Sequence, residues 1–249
     1  MDDGIFNPDL YLERLERSII ESIPAPVAII VSFPSNPTAQ VVSLEFYEEV
    51  VKIALKYNVY ILSDLAYAEI YYDNFPPPSI LQIAKAKEVA VEFTSMSKTY
   101  AMAGWRIGFA VGNKRLINAL TRIKSYLDYG AFTPVQVSAA AALNGPQDCV
   151  QEIRNTYQKR RDVLINSMAR AGWNIPSPKA SMFAWAPIPD KYKDKGSLEF
   201  AKELMLKADV AVSPGVAFGE FGEGFVRVGL VENEQRIRQA AKNIKKLLI

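Results

Sequence analysis

The chain has 249 residues, with 29 Lys and Arg against 27 Asp and Glu, one Cys and no His. At about 100–200 residues per domain this length fits one or two domains, and 49% hydrophobic with 22% charged residues is a globular rather than a disordered composition. A net charge of +2 argues against nucleic acid or an anionic membrane as a partner; the single Cys149 excludes an internal disulfide framework, and the absence of His excludes Ser–His and Cys–His pairs and His-ligated metal sites. Acid–base chemistry must therefore come from Lys, Tyr, Asp or Glu.

The start, Met1-Asp2-Asp3, is acidic with no apolar run behind it, so no targeting signal is expected. The longest uncharged stretch, Ile23 to Leu44, contains Pro24, Pro26, Pro34 and Pro37 and does not suit a membrane helix; a cytoplasmic protein is expected. Leu10 to Ser22 is amphipathic and predicts a helix ended by Pro24-Ala25-Pro26. Val27 to Ser32 is a continuous apolar run, the pattern of a strand covered on both faces. Ser43 caps a predicted helix running to about Tyr57. Val59 to Leu62, Val89 to Thr94 and Ile107 to Val111 predict three more strands, and the alternation with helices argues for an α/β sheet.

After Gly112 the pattern is helical: Lys114 to Tyr129, Pro134 to Leu143, then Pro146 to about Ala171, with Pro146 as the first helical residue and Gly172 as terminator. This last helix would reach about 37 Å at about 1.5 Å per residue, enough to connect two domains. From Trp173 the chain predicts a strand over Met182 to Ala186, a helix over Ser197 to Lys207, strands near Val210 and Phe225, and a final helix from Glu232. The expected division is 1–145, a linking helix over 146–172, and 173–249.

The chemistry-bearing residues cluster at strand ends. Lys98, in Thr94-Ser95-Met96-Ser97-Lys98-Thr99, follows a buried strand, where open α/β sheets bind ligands. The flanking hydroxyls and Arg106 could hold a phosphate there and leave the lysine free as a nucleophilic amine; a solvated loop lysine is the plainer alternative. Asp64 and Tyr67 follow the Val59–Leu62 strand and suit a cationic ring nitrogen and an oxygen acceptor, or equally a helix cap and a core tyrosine. Asn36, in Ser35-Asn36-Pro37-Thr38, is on its own a turn residue. Arg227 sits in the apolar run Phe225-Val226-Arg227-Val228 and needs an anion, either a structural carboxylate or a substrate carboxylate. Tyr126 and Tyr129 are expected to pack at a helix end. Lys242, Lys245 and Lys246 are expected on a solvated face.

Taken in order, Ser35-Asn36-Pro37-Thr38, Ser63-Asp64-Leu65-Ala66-Tyr67, Ser95-Met96-Ser97-Lys98-Thr99, Gly104-Trp105-Arg106-Ile107-Gly108 and Phe225-Val226-Arg227-Val228 resemble the fold-type I aminotransferases that use pyridoxal 5′-phosphate (PLP). Within that family the chain looks most like the branch of bacterial alanine transaminases and LL-diaminopimelate aminotransferases, through Phe33 to Ala39, Asp64 to Ala68 and Tyr126 to Gly130. The resemblance implies a mixed, mostly parallel sheet in a large PLP-binding domain and a smaller α+β C-terminal domain.

The resemblance also implies roles. Lys98 would be the catalytic Schiff-base lysine and Asp64 the partner of the pyridinium nitrogen. Asn36 and Tyr67 would bond the phenolic oxygen, Ser95 and Arg106 would take part of the phosphate, and Arg227, with Asn36, would bind the substrate carboxylate. Amino acid and 2-oxo acid substrates and a homodimer are implied. The family's chains are longer, so the sequence looks like the C-terminal ~60% of such an enzyme, and bare sheet edges and exposed apolar helix faces are expected. Another PLP reaction on the same fold, such as a β-lyase or synthase, and a non-catalytic fragment that needs a partner chain are the alternatives.

Overall fold

The computed structural model describes residues 6–248. The acidic start at Met1-Asp2-Asp3 lies outside the described residues, as do the outermost ends of the first and third segments. Helix α1 (Pro8–Glu21) opens where Asn7 accepts from the Leu10 amide and Pro8 supplies a preset φ, the sequence features that favour a helix start. Strand β1 (Ala28–Ser32) follows. Helix α2 (Leu44–Tyr57) is capped by Ser43, as expected, and is stopped by Asn58 in a left-handed conformation. Strands β2 (Tyr60–Asp64), β3 (Ala90–Ser95) and β4 (Gly108–Gly112) complete a four-stranded sheet in the order β1-β2-β3-β4. The first three strands are parallel and β4 runs antiparallel to β3, which is the mixed, mostly parallel sheet expected.

The first core lies on one side of this sheet. Ile19 of α1 and Tyr47, Val50 and Ala54 of α2 pack on Ile29, Val31 and Ile61. Beneath the sheet the buried carboxylate of Glu92 accepts from Ser63 Oγ, Ser79 Oγ and the Ile80 amide, so its polar burial is compensated. The expectation that β1 is covered on both faces is corrected. Ile30, opposite Leu62, is 73% exposed, because α1 and α2 both lie on the Ile29 side and nothing among the described residues covers the other.

Helix α5 (Lys114–Leu127) and helix α6 (Thr133–Asn144) are amphipathic or apolar yet poorly buried. Tyr126 and Tyr129 do not pack, against expectation: both are almost bare, because Tyr129 takes a left-handed turn just past α5 and no described element lies against that end. Helix α7 (Asp148–Arg170) starts two residues later than expected. Gln147 turns its amide back to the carbonyls of Ala142, Leu143 and Gly145, so Pro146-Gln147 forms the corner between α6 and α7. At 23 residues α7 is about 34 Å long.

The C-terminal part is a three-stranded antiparallel sheet, β5 (Phe183–Pro187), β6 (Ser213–Pro214) and β7 (Phe225–Gly229) in the order β5-β7-β6, packed with α7, α8 (Gly196–Ala208) and α9 (Glu234–Leu248). The strand expected near Val210 forms instead at Ser213–Pro214, where it pairs with Arg227 and Val226. Lys242, Lys245 and Lys246 are exposed, as expected. Its core includes Leu164, Met168, Trp173, Phe200, Leu204 and Ile244, and also Ile70 and Tyr72 from the segment after β2. That segment is tied down by Tyr72 Oη to the Ser181 carbonyl (2.5 Å), by the Ser181 amide to the Ile70 carbonyl (2.8 Å), and by a two-pronged Arg161–Asp73 ion pair. Among the described residues no helix is long and apolar enough to cross a membrane, and no cluster of three or more His, Cys, Asp or Glu side chains could hold a metal ion.

Candidate active site

The parallel strands end together at Ser32, Asp64 and Ser95, and the register sets Ser32 beside Asp64 and Asp64 beside Phe93. The carboxyl edge of an open α/β sheet leaves main-chain groups and short polar side chains facing a crevice. Here that crevice is a depression of about 370 Å³ lined by Ile30, Leu62, Asp64, Ala66, Phe93, Thr94 and Ser95. A larger hollow of about 640 Å³ lies under α1, but Arg14 is its only charged lining residue. The smaller depression is the one that holds two of the residues singled out in the sequence, Asp64 and Ser95.

Asp64 is exposed at the mouth of the depression. Its Oδ1 accepts from the Ala66 amide at 3.0 Å and Ser32 Oγ reaches its Oδ2 at 3.5 Å. No helix follows it, so it is not a helix cap, and no cation pairs with it among the described residues. Tyr67 is buried with its ring edge-on to Phe183, 5.9 Å between centroids. Burial raises the Tyr67 phenol above its ordinary pKa; the Arg227 guanidinium opposes that rise and the Asp64 carboxylate adds to it.

Strand β3 passes directly into a short helical turn, α4 (Met96–Thr99), which carries Lys98. Ser95 caps this turn by accepting from the Ser97 amide at 3.1 Å, which leaves its hydroxyl proton free to donate. Lys98 is half-buried and forms no ion pair or hydrogen bond among the described residues. Arg106 is exposed, in a left-handed conformation, and donates only to the Ala103 carbonyl. The closest backbone approach nearby is at Gly108, where a Cβ would lie 2.5 Å from the Thr94 carbonyl oxygen.

Arg227 on β7 reaches from the C-terminal sheet to the loop after β1. Its Nη1 donates to Asn36 Oδ1 at 2.7 Å and its Nη2 to Ser213 Oγ at 3.2 Å. Neither partner is charged, and no carboxylate pairs with Arg227 among the described residues. Of the two partners left open by the sequence, a structural Asp or Glu is thus absent. Burial lowers the Arg227 pKa from its ordinary value, and the Tyr67 phenol opposes that. The guanidinium also lies 4.3 Å from the Phe183 ring and 4.6 Å from the Phe218 ring.

The fold thus brings Asn36, Tyr67 and Arg227 into one cluster and puts Asp64 and Ser95 on one depression. Ser32, Ser213, Phe183 and Phe218 join them and were not singled out in the sequence. Ser32 carried a weak signal, as the last residue of an apolar strand run. The other three are defined by contacts across strands and loops and had none.

Residues 7–244 match the family model for aminotransferase class I and II. The chain is 57% identical to the glutamate-pyruvate aminotransferase AlaC of Escherichia coli (strain K12), over 94% of this chain and 57% of that protein. It is 42% identical to an LL-diaminopimelate aminotransferase of Moorella thermoacetica, over 91% of this chain and 59% of that protein. Its fold superposes on an aromatic aminotransferase from Pyrococcus horikoshii with a TM-score of 0.89 at 26% identity, covering 99% of this chain and 65% of that one. The chain spans about 60% of the length of the curated relatives it matches. A match running almost end to end, on a mixed sheet whose carboxyl edge carries Asp64 and Ser95, makes the chain a member of the class I and II aminotransferase family.

Proposed function

We propose that this chain carries the coenzyme- and substrate-binding residues of a PLP-dependent aminotransferase that moves an amino group between an amino acid and a 2-oxo acid, of the alanine–glutamate type. The observation that carries this reading is Arg227: a half-buried guanidinium, fixed by two neutral partners, with no carboxylate partner among the described residues. Such a group is built to take an external carboxylate as a fork. The glutamate-pyruvate name of one relative favours the alanine–glutamate pair over a β-lyase or synthase.

The residues present fit PLP. A carboxylate at Asp64 and an amine at Lys98 that have no ion-pair partner among the described residues, with a donor hydroxyl at Ser95, match a cationic ring nitrogen, an aldehyde and a phosphate. When bound, PLP supplies an aldehyde that condenses with amines and a cationic ring that draws electrons from the substrate α-carbon. Lys98 would hold the coenzyme and then take and return the proton at the α-carbon. Asp64 would keep the ring nitrogen protonated, with Ser32 holding the carboxylate in place. Asn36 and Tyr67 would donate to the phenolic oxygen, and Asn36 can do both jobs because its Oδ1 accepts from Arg227 while its amide N–H remains free. Ser95 and Arg106 would share the phosphate.

We assign residues 1–145 to a partial large domain, 146–172 to the interdomain helix and 173–249 to a small domain, in a cytoplasmic homodimer. Adding PLP to the purified chain, reducing with borohydride and mapping the labelled peptide tests the coenzyme assignment. Label on Lys98, with alanine donating to 2-oxoglutarate in a separate unreduced sample, supports it. Label elsewhere would overturn the assignment of Lys98, and ammonia release without a 2-oxo acid acceptor would favour the β-lyase reading.

A further inference from the structure

The loop between β6 and β7 is held shut at its base. A Cβ on Gly215 would lie 1.9 Å from the Gly222 carbonyl oxygen, and one on Gly222 would lie 2.1 Å from that of Gly215, so only glycine allows the two strands of the loop to touch. The base is also pinned to α8: Ser197 Oγ donates to Glu223 at 2.9 Å and accepts from the Val216 amide at 3.1 Å. Two short 3₁₀ turns, Gly215–Phe218 and Glu220–Gly222, fill the loop.

What this rigid loop presents is Phe218. The ring keeps 38% of its surface exposed, so it does not fill a core. It rests edge-on against Trp185, at 5.9 Å, and Trp185 is itself stacked on Phe225 at 5.4 Å. Its other neighbour is the guanidinium of Arg227, which meets Phe183 as well. A ring face attracts a guanidinium and narrows the rotamers open to it, so the cost of ordering the fork is met before a carboxylate arrives.

We propose that Phe218, presented by the clamped 215–222 loop, is a positioning residue that holds Arg227 ready for a carboxylate; this rests on the reading of Arg227 as the substrate-carboxylate site. Phe218 acts through Arg227 and needs no contact with substrate. The role belongs to its aromatic face and not to apolar bulk alone.

The test uses the full chain labelled with ¹⁵N-arginine, the Arg227 Nε–H signal being identified by its loss in Arg227→Lys. In the wild type this signal should show backbone-like order and should shift on titration with 2-oxoglutarate. Phe218→Ala and Phe218→Leu should both loosen it and raise the 2-oxoglutarate Kd about three- to tenfold, and Phe218→Tyr should restore order and affinity. Equal Kd and order in wild type and Phe218→Ala would overturn the role of Phe218 while leaving the carboxylate reading standing. Full function in Phe218→Leu would overturn the ring-face argument. No response of the wild-type signal to 2-oxoglutarate would overturn the carboxylate reading itself, and the positioning role with it.

Discussion

Nη1 of Arg227 donates to Oδ1 of Asn36 at 2.7 Å, joining two side chains 191 positions apart in the chain. The bond runs from the C-terminal sheet to the loop after β1, so the guanidinium proposed to take a substrate carboxylate is oriented by a side chain of the first sheet's loops. Arg227→Lys removes the fork and the flat face that meets Phe183 and Phe218. In an active preparation KM for both the amino acid and the 2-oxo acid should rise about ten- to hundredfold, with kcat changing less. Asn36→Ala should raise the same KM values to a smaller extent. Steady-state kinetics with both substrates varied measures each.

Lys98→Ala should abolish the borohydride-fixed coenzyme while leaving the melting temperature nearly unchanged, because the Lys98 side chain is half-buried and forms no hydrogen bond or ion pair among the described residues. Coenzyme that stays covalently fixed in this variant would refute the assignment. Asp64→Ala should weaken coenzyme binding about tenfold or more and cost little stability, since Asp64 is exposed and bonded only to the Ala66 amide and Ser32. Equal losses in binding and melting temperature would make Asp64 a structural residue.

The Arg161–Asp73 fork ties the segment behind Tyr67 to α7. Arg161 is buried and Asp73 largely exposed. The guanidinium hydrogen-bonded to Asp73 holds that carboxyl below its usual range. A depressed carboxylate pKa stabilises the fold above its unfolded value and loses that effect as pH falls through the folded value. Asp73→Asn should therefore destabilise the chain at neutral pH, and the gap to wild type should close as pH drops below about 4. Denaturant unfolding at several pH values reads this directly. A gap that stays constant to the lowest pH would show that the charge on Asp73 contributes nothing.

Glu92 gives the opposite sign. Burial raises its pKa, against the hydrogen bonds from Ser79, Ile80 and Ser63. The folded state therefore binds its proton more tightly, and that stabilisation is present at low pH and lost as pH rises through the folded pKa. Glu92→Gln can keep the Ile80 bond through its carbonyl oxygen and donate to Ser79 from its amide. It should match or exceed wild-type stability at pH 7 and flatten the pH dependence above about pH 4. Glu92→Ala, which leaves the Ile80 amide buried and unpaired, should cost about 2–3 kcal/mol. Thermal melts of the three proteins separate these outcomes.

The local elements and the strand-end residues were legible in the sequence because their causes are local. Ser43 before an amphipathic run, the Pro24-Ala25-Pro26 breaker after the first helix, and apolar runs closed by Ser32, Asp64 and Ser95 specify helix and strand ends through neighbouring residues alone. The order of motifs along the chain likewise pointed to the family. Tertiary structure decided what depends on distant neighbours. Which face of β1 is covered follows from α1 and α2 choosing the same side, so Ile30 is bare while Ile29 is buried, although both belong to one uninterrupted apolar run. Tyr126 and Tyr129 look like packing residues until the end of α5 is found without a neighbour. Arg227 is the clearest case. Its strand was readable, but its partners Asn36, Ser213, Phe183 and Phe218 come from separate segments that only the folded chain brings within bonding distance, and hydrogen bonds and ring contacts act only over a few ångströms.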